Sequence, residues 1–126
     1  MMRALVFCLL VLSAAAVLGG TGTITDGRSL ADGLDLFEKS QAGTSVTWPE
    51  AAKATMAASY AQAFASACVV WQTKFPGQAP FNLPAGLTPE QFVKVAHKYL
   101  NEHPNRLHDR AENLLFDAIV AAFPRK

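Results

Sequence analysis

The stretch KYLNEHPNRLHDR, Lys98 to Arg110, gathers two of the chain's three histidines beside two arginines. Imidazoles are the groups that ligate zinc, shuttle protons or activate a nucleophile near neutral pH. A zinc site on one helix needs histidines four positions apart, so that two ring nitrogens converge on one face. His97, His103 and His108 stand six and five apart, and Pro104 breaks any helix between the second and third. No cysteine lies near them. Cys68 with His97 or His103 would make a nucleophile and its base, yet nothing sets an orienting Asn or Asp or an oxyanion hole beside such a pair. Flanked by Ala67 and Val69 in an apolar stretch, Cys68 reads as a small hydrophobe. A catalytic thiol and a bridge between two chains are the alternatives for it. The sequence therefore calls for no catalytic residue, no cofactor and no metal.

The same cluster has a structural reading. His103-Pro104 is a helix stop, and Asn105 or Arg106 falls where the following helix must be capped. Asp109 and Glu112 would lie in the first two turns of that helix, where carboxylates suit its dipole. Arg106 and Arg110 would brace the corner through Glu102, Asp109 or free carbonyls.

The elements that must position this corner are helical. From Ser29, a plausible N-cap, Leu30, Leu34 and Phe37 recur at helical spacing, and Gly43 follows the end. The preceding TGTITDGR, Thr21 to Arg28, is polar and without period, and reads as a loose lead-in. Thr47-Trp48-Pro49-Glu50 is a capping box that starts a second helix running to about Trp71. Met56, Tyr60, Phe64, Cys68 and Trp71 fall on one stripe of that helix, expected to be core, and its many alanines leave a surface thin enough for close approach.

TKFPGQAPFNLPAGLT, Thr73 to Thr88, is a proline-pinned, extended loop. Phe75, Phe81 and Leu83 are expected to fold back on the helices, and Gly77, Gln78 and Gly86 to stay at the surface. Thr88 to Gln91 repeats the capping-box chemistry, opening a third helix with Phe92, Val95, Ala96, Tyr99 and Leu100 on its apolar face. Leu107, Ala111, Leu114, Leu115, Ala118, Ile119 and Ala122 form the ladder of a fourth. No run has period two, so the expected fold is all-α, a single small domain of about four helices.

The N-terminus is of another kind. Met1-Met2-Arg3 precedes ALVFCLLVL and SAAAVLGG, a basic start, a short apolar core and small residues that together read as a secretory signal peptide over residues 1–19, cut after Ala16 or a few residues later. An uncleaved anchor is the rival reading, but the apolar stretch is shorter than the roughly 20 residues a spanning helix needs. Residues 20–126 are then the exported domain, with no stable membrane insertion after cleavage. The whole chain carries 11 basic and 10 acidic side chains, and loss of Arg3 leaves ten of each. A balanced charge gives no field for nucleic acid. Cleavage also removes Cys8 and leaves Cys68 without an intrachain partner.

One resemblance adds to this reading. LP.G.T..Q (Leu83, Pro84, Gly86, Thr88, Gln91), YL..HP.R (Tyr99, Leu100, His103, Pro104, Arg106) and A..AAFP (Ala118, Ala121 to Pro124) resemble the C-terminal half of the Rap/Tai-type immunity proteins. These are small exported antagonists of type VI secretion amidase effectors. Tyr60 and Ala63 match the family's aromatic-then-small pattern more loosely. The family's cysteines near Ala57, before the LP at Asn82 and after the FP at Arg125 have no counterpart here, so packing must replace their bracing.

The resemblance implies a periplasmic, stoichiometric inhibitor, often a homodimer, that plugs the cleft of a peptidoglycan amidase effector. Rigid protruding segments serve such a role. On that basis the partner-binding residues are expected to be Gln78 and Asn82 from the proline-rich loop, with Asn101, His103, Asn105 and Arg106 from the corner. The alternative is an orphan periplasmic helical protein with the same fold and no amidase partner.

Overall fold

A computed structural model describes residues 23–126; the signal-peptide reading of residues 1–19, with Cys8, lies outside them. Four helices follow one another: α1 (Gly27–Gln41), α2 (Trp48–Lys74), α3 (Pro89–Glu102) and α4 (Ala111–Ala122), with a 3-10 turn at Pro104–Arg106 between the last two. Among the described residues there is no strand, only two isolated bridges. The all-α expectation holds.

The start of α1 corrects the sequence reading. Asp26, not Ser29, is the N-cap: its carboxylate accepts from the Ser29 amide at 2.9 Å, and the Ser29 hydroxyl takes the reciprocal place against the Asp26 amide. The first two amides of the helix look elsewhere. Gly27 N donates to the Asp109 carbonyl and Arg28 N to the Leu107 carbonyl, both at 2.9 Å, while Ala111 N returns a bond to Thr25 O. All four amides that a helix start leaves open are thus satisfied, two of them by the far corner. The supposed loose lead-in is tied down from Thr25 onward.

Asp26 carries a pH dependence. The Ser29 backbone amide holds its carboxyl below the usual 3.8, so folding favours the ionised form. That contribution is complete at neutral pH, begins to fade as pH falls past the unfolded value, and is lost through the folded one. Asp26→Ala is expected to cost about 1 kcal/mol at neutral pH. In urea titrations carried down into acid, Asp26→Asn is expected to keep most of the cap and to flatten the acid limb of the stability curve.

Helix α2 packs on α1 through its small residues. Ala54, Ala57, Ala58 and Ala61 are buried, and a Cβ on Gly33 of α1 would stand 2.4 Å from Ala57 Cβ and 2.9 Å from the Lys53 carbonyl oxygen. The aromatic stripe flanks this contact and is not the core of it. Tyr60 and Phe64 are half-buried, Trp71 keeps 37 % exposure, and only Cys68 of that stripe is fully enclosed. Thr47 caps α2 through its hydroxyl, at 3.4 Å from the Glu50 amide, and the helix runs one turn further than expected. Phe75 therefore ends it as C-cap, 54 % exposed, and does not fold back.

Helix α3 carries the full Thr88/Gln91 capping box. Its Phe92, Val93, Ala96 and Leu100 meet Leu30, Leu34, Leu114, Leu115 and Ile119 in one core cluster. The last helix begins at Ala111, not at the corner, and Arg110 gives it no side-chain cap. Residues 107–109 stay out of helix, with the Leu107 and Asp109 carbonyls turned toward α1.

Candidate functional site

The proline-rich loop is fastened on two sides. Phe75 to Gln78 form a turn with Pro76 second and Gly77 third at φ +85°, closed by Gln78 N donating to Phe75 O at 3.1 Å; proline and a positive-φ glycine in that order are what a type II turn requires. Beyond it, Phe81 pairs with Pro124, and Asn82 N donates to Phe123 O at 2.9 Å. On the other side the Gln72 amide clamps the loop backbone. Its Oε1 accepts from Leu83 N at 2.7 Å and its Nε2 donates to Leu83 O at 3.2 Å. Phe81 and Leu83 are buried beneath, as expected. Gln78 and Asn82 remain exposed, and Asn82 lines a shallow groove of about 360 Å³ with Gln72, Arg125 and Lys126.

The corner is braced by Arg106. Its Nε donates to Asp109 Oδ2 at 2.9 Å, Nη1 to the Tyr99 hydroxyl at 3.0 Å and Nη2 to Asp117 Oδ2 at 2.8 Å. Asp117 first and Asp109 second raise the guanidinium pKa beyond its already high value. One side chain so joins α3, the corner and α4, using three of its five N–H groups. His103 is held over Tyr99, ring centroids 4.0 Å apart, and its Nδ1 donates to the Tyr99 carbonyl at 2.7 Å. Asn105 is exposed.

Asn101 belongs to a different row. It reaches back one turn to His97, Nδ2 to Nε2 3.4 Å, and this row is rotated about 200° around α3 from Tyr99 and His103. His97 is buried, with Nδ1 donating to Glu38 Oε2 at 2.8 Å and Nε2 3.9 Å from Asp35 Oδ1. The imidazole is a satisfied clamp between α1 and α3. Sequence reasoning treated it only as a possible ligand or base. The signal for the clamp was its place on the buried face, one turn beyond Val93.

The six expected binding residues therefore form no single patch. Gln78 and Asn82 sit at the end of the molecule where the loop meets the residues following α4. His103, Asn105 and Arg106 sit at the start of α4, about 18 Å away by the length of that 12-residue helix. Asn101 lies on the opposite side of α3.

Cys68 has no catalytic setting. It is 4 % exposed, no hydrogen bond joins it to a histidine among the described residues, and burial pushes its thiol pKa up to about 11. At neutral pH the nucleophilic thiolate is scarce and the sulfur is covered. In the folded protein Cys68 is expected to resist thiol reagents, reacting on unfolding, and to form no bridge between chains under mild oxidation; a titration of free thiol with and without denaturant checks both. Among the described residues no three His, Cys, Asp or Glu side chains gather into a metal site, and no helix is long and apolar enough to cross a membrane.

The family model of the Rap1a immunity proteins matches residues 33–124, most of the described chain. No curated protein and no solved structure is matched by it.

Proposed function

The chain belongs to the Rap1a immunity protein family, and from that premise we propose that it is an exported inhibitor that binds a type VI secretion amidase effector in the periplasm. By occupying that enzyme it protects the peptidoglycan of the producer from self or sibling attack. The proposal assigns the chain no turnover of its own. The observation that carries the reading beyond family membership is the fastening of the 75–83 loop by Gln72 on one side and by the Phe123 carbonyl on the other. A segment ordered in advance loses little entropy on docking.

In this reading Gln78 and Asn82 contact the effector from the loop, and Asn101, His103, Asn105 and Arg106 from the corner. Arg106 keeps two N–H groups for the purpose, beyond the three it spends on the fold. The two loci are far enough apart that one effector spans them only through a broad interface, of the size usual for tight inhibitors. A homodimer, which sedimentation of the purified protein would register, offers a second way to present both at once.

The test is co-expression with periplasm-directed type VI amidases, scored by survival from lysis. Rescue by the wild-type chain supports the reading, and failure across the amidase panel removes it. Alanine at the six positions is expected to weaken binding to the rescued amidase; unchanged affinity would show that the site lies elsewhere.

A further inference from the structure

The end of α2 presents an aromatic ridge that the fold does not consume. Trp71 and Phe75 stand one turn apart on it. The indole is held from behind, edge-on to Phe81 with centroids 5.6 Å apart and stacked near Phe116 at 6.4 Å, yet more than a third of it faces solvent. Phe75 is over half exposed. Such large apolar groups clustered at the surface are the signature of a contact made with something else.

The turn that follows the ridge carries one sign of charge. Lys74 adjoins Phe75, the Arg125 guanidinium donates to the Gly77 carbonyl of the following turn, and Lys126 lines the groove beside Gly77 and Asn82. No Asp or Glu occurs in residues 51–89 or 118–126. Among the described residues, no carboxylate side chain pairs with any of the three cations. The two acids of α4, Glu112 and Asp117, are engaged by Arg110 and Arg106.

We infer that Trp71 and Phe75, flanked by Lys74, Arg125 and Lys126, form the anchor of the protein contact, seating in an apolar recess rimmed by Asp and Glu on the partner. The inference rests on the inhibitor reading above and adds to it the surface that supplies most of the affinity. Aromatic anchors held in one rotamer are the residues that dominate interfaces, and complementary rim charge steers their approach. A second copy of this chain fits the surface poorly, because a two-fold contact through it would set the same three cations against themselves. An anionic bilayer fits poorly as well: polybasic lipid-binding segments carry roughly 4–8 cations, and here there are three.

The experiment titrates the purified protein against the amidases it protects from, by calorimetry at two salt concentrations, together with Phe75→Ser and the double variant Lys74→Glu/Lys126→Glu. Both changes lie at exposed positions, and unaltered thermal unfolding confirms that each variant is folded. Trp71→Ser, which also removes packing on Phe81, serves only as a supporting variant. Phe75→Ser is expected to weaken binding more than about tenfold. The charge reversal is expected to weaken it by a similar factor at low salt and by less at high salt.

Full affinity in both variants overturns the assignment while leaving the inhibitor reading intact. A wild-type chain that binds none of the amidases overturns both. Loss of a dimer in Phe75→Ser by sedimentation, or binding of the wild type but not of the variants to phosphatidylglycerol vesicles, would give the ridge to another occupant and likewise refute it.

Discussion

Gly33→Ala is expected to lower the unfolding free energy by about 3 kcal/mol, at the upper end of what overpacking a tight contact costs. The added methyl would meet Ala57 Cβ at 2.4 Å and the Lys53 carbonyl oxygen at 2.9 Å. Neither can move by rotating a side chain, because one is fixed on its own backbone and the other is backbone. The α1 and α2 axes must therefore separate along the contact where they pack most extensively. That separation would loosen the burial of Leu30 and Leu34 as well. Gly43→Ala, by contrast, adds a methyl that meets nothing within 4 Å, so its cost is confined to the positive φ of that residue. Urea denaturation of the pair measures the difference directly. If Gly33→Ala proved no more costly than Gly43→Ala, the close approach of α1 to α2 would be wrong.

Arg106→Ala is expected to lower stability measurably and to release the corner. Charge-assisted bonds are stronger than neutral ones, but Arg106 and its two carboxylates are about a third exposed, so solvent screening discounts them heavily. Removal also leaves Asp109 and Asp117 without their shared cation and the Tyr99 hydroxyl without its donor. Arg106→Lys is expected to rescue little, since an ammonium cannot reach three acceptors lying in the directions of a planar fork. Chemical denaturation gives the energetic part. Amide exchange at residues 103–110 gives the local part, and protection there equal to wild type would refute the brace.

Much of the architecture was legible from periodicity and caps. Thr47 and Thr88 start α2 and α3 where their hydroxyls predict, and Pro104 ends α3 as a residue without an amide proton must. What escaped reading depended on residues distant in sequence. The start of α1 was placed three residues late because Ser29 looks like a cap in isolation, whereas Asp26 and the carbonyls of Leu107 and Asp109 share that work. Residues 107–109, with those carbonyls turned toward α1, stay out of helix, against a ladder that would have let α4 begin earlier.

On α2 the large aromatics drew attention that belonged to Ala54, Ala57, Ala58 and Ala61. Ala57 lies so close to α1 because Gly33 opposes it, and no single helix reveals its partner's glycine. The candidate site was readable as two rigid segments, because proline and capping chemistry are local. Their separation along α4, the turning away of Asn101 and the commitment of Arg106 to the fold all depend on how α3 and α4 are docked.

The tie between the two ends of the chain sets an order on biogenesis. Gly27 and Arg28 find their acceptors about 80 positions downstream, at Asp109 and Leu107, so a polypeptide emerging from the ribosome cannot close this clasp until nearly all of it has been made. Until then the first helix has its Asp26 cap and its packing on α2 but no anchored root, and long-range closures of this sort come late and slowly. The corner and the root of α1 are therefore among the last parts of the molecule to become rigid.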